Sequence, residues 1–398
     1  MCKVARVKAP KHEGETLQAT DIAIAGDAKT AYAYVSYAMA GDVCHGGIDI
    51  LELKKGYFPK IKSRLLTKNE DVYAATYDPG NNYIYLGLQI DYDVYYYESP
   101  EYYRGAFFRA IELNSNYKVK TASGDIVTYE MPLNSWAAND AAIADNFILV
   151  PVGDKFGGVE VLKLSQSGIE RETFISNIPD TRAVAATPDL PDTDFIVYRG
   201  YADENSQDHT PQIIKYRYNN VDFEVVGTIK IENPIPQTIY SKSSLEVHGD
   251  VAFLAASDGG VYVVDLVNNS IILNIPNPTP TGSLTEDKVT ANAVTVGTPY
   301  GSSRSVIFIA NGEYGVRAFA LDFDIESTTS IAAQFSGYDP DSNYLGYISF
   351  GNGNSANSVL LRNGYLYVGT GLGGVNVIYV FDSQLPIQKF KKPSLYTK

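Results

Sequence analysis

One short pattern recurs along this chain: an apolar run, a polar turn ending in glycine, and a second, alternating run. Its clearest form is "AFLAASDGGVYVVDL", Ala252–Leu266. The same pattern is written in "YAYVSYAMAGDVCHGGIDILEL", "FILVPVGDKFGGVEVLKL", "VIFIANGEYGVRAFAL" and "YLYVGTGLGGVNVIYV". Each reads as a β-hairpin, because a tight turn often needs a positive φ that glycine alone adopts freely. A short run of small residues precedes each hairpin, as in "ATDIAIAGD", "ANDAAIADN", "SSLEVHGD", "ANAVTVG" and "ANSVLLRNG". Small residues suit strands that crowd round a common axis. A fourth run follows most hairpins: "KIKSRLL", "VKTASGDIVTYE", "RETFISN", "EVVGTIKI", "SIILNIP" and "SIAAQFS".

Two further segments, "VYAATYDPGNNYIYLGL" and "AVAATPDLPDTDFIVYRG", keep the first two strands and lengthen the next turn. Seven units result. Their second strands begin near Tyr32, Tyr83, Phe147, Phe195, Val251, Val306 and Leu366. The spacing runs from 48 residues (Phe147 to Phe195) to 64 (Tyr83 to Phe147). Four strands per unit at such a period predict a seven-bladed β-propeller, all-β and antiparallel within each blade. The expected blades cover about 19–70, 71–136, 137–180, 181–240, 241–289, 290–354 and 355–398 of one domain. Period-two alternation excludes a helical solenoid, and no stretch reads as a helix.

A propeller hides its open edge by pairing its chain ends in one blade. Two segments compete for that place: residues 3–9, "KVARVKA", and residues 386–392, "PIQKFKK". The N-terminal one is favoured, since it stands where an outer strand belongs before "ATDIAIAGD".

The units around Gly46, Gly157, Gly259, Gly315 and Gly373 resemble LVIVD-repeat proteins, a group of bacterial β-propellers. The likeness rests on the order small-residue strand, turn, aromatic strand, Gly-Gly, Val-Val-Asp-like strand. It fails near residues 90–105 and 200–212. The resemblance implies the fold, and a frequent extracytoplasmic or surface location, but no chemistry.

The charge bounds the partners. Lys and Arg number 32 against 46 Asp and Glu, a net charge of −14, which disfavours nucleic acid and anionic membrane. No apolar run is long enough to span a bilayer, and "MCKVARVKAP" lacks a secretory signal core. Cys2 after Met1 is read in two ways: a lipid-anchored cysteine of a mature surface lipoprotein, or a chance cysteine. Cys44 is the other thiol, and a bridge to Cys2 is not expected, because Cys2 is read as part of a tail.

In a propeller the turn inside each central hairpin and the link between blades open on the same face. The long segments are assigned there: "IDYDVYYYESPEYYRG", "YADENSQDHTP", "TYEMPLNSWAAND", "NPTPTGSLTEDKVTAN" and "GYDPDSNYLGYISFGNGNSAN". One face is therefore expected to be elaborated and the other plain. Tyr96, Tyr97, Tyr102, Tyr103, Trp136 and Tyr344 are the candidate binding residues. Tyrosine and tryptophan offer broad apolar surface with a polar tip, suited to a protein or carbohydrate ligand. The same tyrosines packed on one another would simply hold a long loop.

Other motifs lead elsewhere. "GTGLGG" at Gly369–Gly374 matches a dinucleotide fingerprint, but a strand and not a helix follows it. "DPDSNYLG" offers Asp339 and Asp341 as calcium ligands, yet lacks the glycine such a loop needs. Asp21, Asp140, Asn292 and Asn357 are candidate ligands for Ca2+ at the channel mouth, with bonds between neighbouring strands or to channel water as the competing use. His12, His45, His209 and His248 match no zinc spacing. The leading expectation is a non-enzymatic, extracytoplasmic or surface-anchored module that binds a protein or glycan and needs no cofactor. The alternative is a lactonase-like hydrolase with a metal at the channel mouth.

Overall fold

A computed structural model describes residues 1–27, 30–39, 41, 43–54, 58–91, 105–153, 157–165, 168–200, 210–231 and 242–381. Seven four-stranded antiparallel sheets form the blades. From axis to rim, blade 1 is Gln18–Gly26, Ala31–Ala38, His45–Lys54 and Phe58–Lys68. Blade 2 is Glu70–Asp78, Tyr83–Ile90, Ala106–Glu112 and Thr128–Pro132. Blade 3 is Ala142–Ala144, Phe147–Val152, Gly158–Ser165 and Gly168–Ser176. Blade 4 is Thr181–Ala186, Phe195–Arg199, Gln212–Tyr218 and Phe223–Lys230. Blade 5 is Ser244–His248, Val251–Ala255, Val261–Asp265 and Ser270–Ile275. Blade 6 is Ala293–Gly297, Val306–Asn311, Gly315–Ala320 and Tyr344–Ile348. Blade 7 is Ser358–Arg362, Tyr365–Gly369 and Val375–Tyr379, with Cys2–Val7 outermost.

The ring is thus closed by the N-terminal strand, as expected. Cys2 pairs with Tyr379 and Val7 with Val375. The competing segment, 386–392, lies outside the described residues. Cys2 belongs to this strand rather than to a tail, and both cysteines are free thiols. Gly374, in the turn before Val375–Tyr379, shows why that turn carries glycine where the closing strand ends: its φ is +76°, and a Cβ there would overlap the carbonyl oxygen of Val7.

The hydrophobic core is divided. Among the described residues it forms seven apolar clusters, one at each seam between neighbouring blades. Strand periodicity explains the division. In Ala31–Ala38, Ala31, Ala33, Val35 and Tyr37 face the seam with blade 7, while Tyr32 and Tyr34 face the seam with blade 2. A strand buried on both faces can be apolar at every position.

Three expectations need correction. "SIAAQFS" is not the outer strand of blade 6. It holds a short α-helix, Ile331–Gln334, and the outer strand is Tyr344–Ile348. The helix forms because Ile331 and Phe335, four apart, both sink into the cluster between blades 5 and 6. Asp250 also accepts bonds from the amides of Ile331 (2.9 Å) and Ala332 (3.3 Å). In blade 2, "VKTASGDIVTYE" is not one strand. It contains a small hairpin, Thr121–Ala122 with Asp125–Ile126, turned by Ser123 and Gly124 at φ 54° and 96°.

The plain face is the third. Residues 113–127 and 321–343 link third strands to outer strands, so they lie on the face opposite the interblade links. Both faces are elaborated. "GYDPDSNYLGYISFGNGNSAN" is accordingly split between the two faces by the strand within it.

Candidate functional site

The inner strands surround a central channel of about 850 Å3, lined by residues from all seven inner strands or their approaches. Towards the interblade-link face it is lined by Asp21, inside the first inner strand, and by Asp140, Lys242 and Asn292, each just ahead of its own; Asn357 stands just ahead of the seventh. An innermost strand has no partner on its axial edge, so its backbone groups need acceptors and donors from elsewhere. Side chains of the preceding blade supply them.

Asp21 accepts the amide of Ala75 (3.2 Å), and Asp140 accepts that of Val184 (3.1 Å). Thr76 donates to the carbonyl of Ala141 (2.7 Å). Ser244 and Glu246 accept the amides of Val294 (3.0 Å) and Val296 (2.9 Å). Asn292 donates to the carbonyl of Ala356 (3.0 Å), and Asn357 to that of Ala19 (2.9 Å). Each of these bonds runs from one blade to the next. The four residues weighed as calcium ligands therefore act as latches between blades. Asp339 and Asp341 sit far from them in the fold, on the 321–343 excursion. There Asp339 caps its own turn, accepting from the amide of Asp341 (3.1 Å) and the hydroxyl of Ser342.

Lys242 went unnoticed in the sequence. Its Nζ lies 3.6 Å from Asp21 Oδ2 and donates to the Thr20 carbonyl (2.9 Å). The signal was present, because Lys242 immediately precedes "SSLEV" as Asp140 precedes "AAIAD" and Asn292 precedes "AVTV". Burial in the channel raises the Asp140 carboxyl to about 7. The neighbouring Asp21 charge adds to the rise, while the Val184 and Ala141 amides and Lys242 oppose it. At neutral pH this group can hold or release a proton.

A pH dependence follows. Asp140 is raised to about 7 and Asp71, chiefly by burial, to about 6, against about 3.9 in an unfolded chain. Between those values the folded state binds more protons than the unfolded one, so stability falls as pH rises. His248 acts in the same sense. Burial opposes its protonation, but the bond to Glu246 and the charge of Glu326 prevail and its pKa is raised. The urea midpoint is expected to be higher at about pH 5 than at about pH 8, by on the order of 2 kcal/mol in stability. Asp21→Asn should flatten the profile, since it removes a charge that lifts Asp140. A profile that rises toward pH 8 would contradict the assignment.

The candidate binding residues are dispersed. Trp136 stands on the link from blade 2 to blade 3 and is 38% exposed. Tyr344 opens the outer strand of blade 6 at its far end, by the opposite face, where its ring meets Phe319. The two do not share a surface. Tyr96, Tyr97, Tyr102 and Tyr103 lie outside the described residues. The base of their loop is described: the Ile90 amide bonds to the Gly105 carbonyl (2.8 Å), and the Ala106 amide to the Ser135 carbonyl (3.1 Å). A Cβ on Gly105 would come within 2.9 Å of the Trp136 carbonyl oxygen. The loop thus springs from beside Trp136. Val43 and Leu372, both exposed, belong to hairpin turns on that same face. "GTGLGG" forms such a turn before the strand Val375–Tyr379 and cradles no helix.

No protein-family model matches the sequence, and no curated protein is significantly similar to it. Solved structures are similar in fold. The WD40 β-propeller domain of Doa1 is 12% identical with a TM-score of 0.54, over 96% of this chain and 98% of that one. The WD40 repeats of RRP9 are 12% identical with a TM-score of 0.59, over 96% and 99%. At this identity the likeness establishes the architecture alone: the chain folds as a β-propeller.

Proposed function

We propose that this protein is a non-enzymatic binding module that takes a protein segment on the face of the interblade links. The observation that carries the proposal is the exposed Trp136 beside the base of the tyrosine-rich loop. A partly exposed indole beside the point where a tyrosine-rich segment leaves its blade suits a recognition surface in composition. The channel-mouth side chains support it too, because they are occupied with backbone latching. The repeats' resemblance to LVIVD-repeat proteins, together with the exposed Cys2 on the rim, supports a further proposal of a surface location through a lipid on Cys2. The mass of the N-terminal peptide from native protein tests that part.

The binding test uses a random peptide display library and a glycan array on the immobilised protein. Peptides should be recovered whose affinity falls at least about tenfold with Trp136→Ala. Hits confined to glycans would reassign the ligand, and binding indifferent to Trp136→Ala would end the reading.

A hydrolase reading is favoured by one observation, the Asp140 carboxyl poised near 7 beside Asp21 and Lys242. It predicts a clear rise in melting temperature on calcium titration and lactone hydrolysis abolished by Asp140→Asn. The binding reading predicts neither.

A further inference from the structure

Two histidines that are 33 positions apart meet in the fold. The link from the closing strand to blade 1 folds back as a two-residue hairpin, Lys11–His12 against Glu15–Thr16. Glu13 and Gly14 form its turn, with φ of 48° and 97°. This hairpin lays His12 against His45, the first residue of the third strand of blade 1. Their rings are 4.8 Å apart between centroids and nearly perpendicular, at 82°. His45 is 6% exposed. Its Nε2 is 3.9 Å from Glu13 Oε2, and the other oxygen of Glu13 is 3.3 Å from Lys68 Nζ. His12 Nδ1 is enclosed and has no hydrogen-bond partner. An enclosed ring nitrogen left unsatisfied is costly and calls for an explanation.

We propose that His12, His45 and Glu13 form a binding site for a divalent transition metal ion of the zinc class. Two imidazoles and a carboxylate, with a place left for water, are a familiar ligand set for such an ion. Calcium and magnesium prefer all-oxygen shells and do not fit. An ion would give His12 Nδ1 the partner it lacks. Among the described residues no three His, Cys, Asp or Glu side chains yet stand at ligand distance from one point. The missing approach is that of Glu13, which is half exposed and paired with Lys68; released from Lys68, its carboxylate would have to close on the imidazoles to complete the set. The ion would pin the hairpin to blade 1 and so fasten the link that follows the closing strand.

Isothermal titration with zinc chloride alone should show one ion bound per chain at about pH 7.5, and cobalt should give the absorption of a nitrogen-ligated tetrahedral site. His12→Ala, on an exposed hairpin, should leave the circular dichroism spectrum unchanged and weaken zinc at least about tenfold. Glu13→Gln should weaken it less, and Lys68→Ala should strengthen it by freeing Glu13. Absence of zinc binding at neutral pH overturns the proposal. So does binding that His12→Ala leaves unchanged.

Discussion

A chain lacking residues 1–9 is expected to lose about 5 kcal/mol or more of stability and to aggregate at concentrations where the full chain stays soluble. The strand Cys2–Val7 pairs along Val375–Tyr379 through five register positions. At about 1 kcal/mol net per backbone bond, that pairing alone is substantial. Val7 is buried in the cluster between blades 7 and 1, worth roughly 2 kcal/mol more, with Val4 and Ala5 packed against the same cluster. Its loss would uncover "VNVIY", an uncharged β-prone edge of the kind that recruits other chains. Unfolding by denaturant and light scattering read the two effects. A truncated chain that stays monomeric with an unchanged midpoint would show that the closing strand is dispensable.

Asp49→Ala is expected to cost about 2–3 kcal/mol, which is large for one substitution. Asp49 is fully buried on the third strand of blade 1. It receives Arg64 Nε at 2.6 Å and Nη2 at 2.8 Å from the outer strand, and the Tyr37 hydroxyl at 3.1 Å. Removing the carboxylate leaves the buried Tyr37 hydroxyl without its acceptor and the Arg64 guanidinium, 32% exposed, without its ion-pair partner. The cost comes from the orphaned partners more than from the pair itself. Replacing both ends with apolar residues, Asp49→Leu with Arg64→Met, should therefore restore much of the loss. Guanidinium unfolding at constant m-value measures each variant. A loss below about 1 kcal/mol for Asp49→Ala would mean that water reaches the pair.

This pair also shows what could be read from the sequence and what could not. The Gly-Gly turns and the alternation round them revealed the hairpins, and seven hairpins revealed the wheel, because those signals are local. The polar residue two places after the turn glycine was in plain view: Asp49 after Gly47, Glu160 after Gly158, Arg317 after Gly315, Asn376 after Gly374. That such positions are buried could not be read, since it depends on the partner that each blade offers. Glu160 meets Arg171 (2.7 Å), whereas Arg317 donates to Asn311 (2.7 Å) and to the Pro276 carbonyl (2.8 Å).

Blade 6 misled for a related reason. "SIAAQFS" has the length and apolarity of an outer strand, and what makes it a helix lies elsewhere in the chain: the cluster that takes Ile331 and Phe335, and Asp250, 81 residues before Ile331. The meeting of His12 with His45 was likewise beyond any spacing rule, because it depends on ring closure. The latching duty of Asp21, Asp140, Asn292 and Asn357 was one of two uses the sequence left open, and the geometry shows it.

Ring closure has a consequence for biosynthesis. Val7 must wait for Val375, 368 residues later. At roughly 5–20 residues per second, the ribosome delivers that mate about 20–75 s after Val7 itself. For that interval the first-made strand has nothing native to join, and the nascent wheel stays an open arc with a sticky spoke at its tip. A cell making this protein must shield that tip, or make the chain slowly enough in number that two unfinished arcs seldom meet.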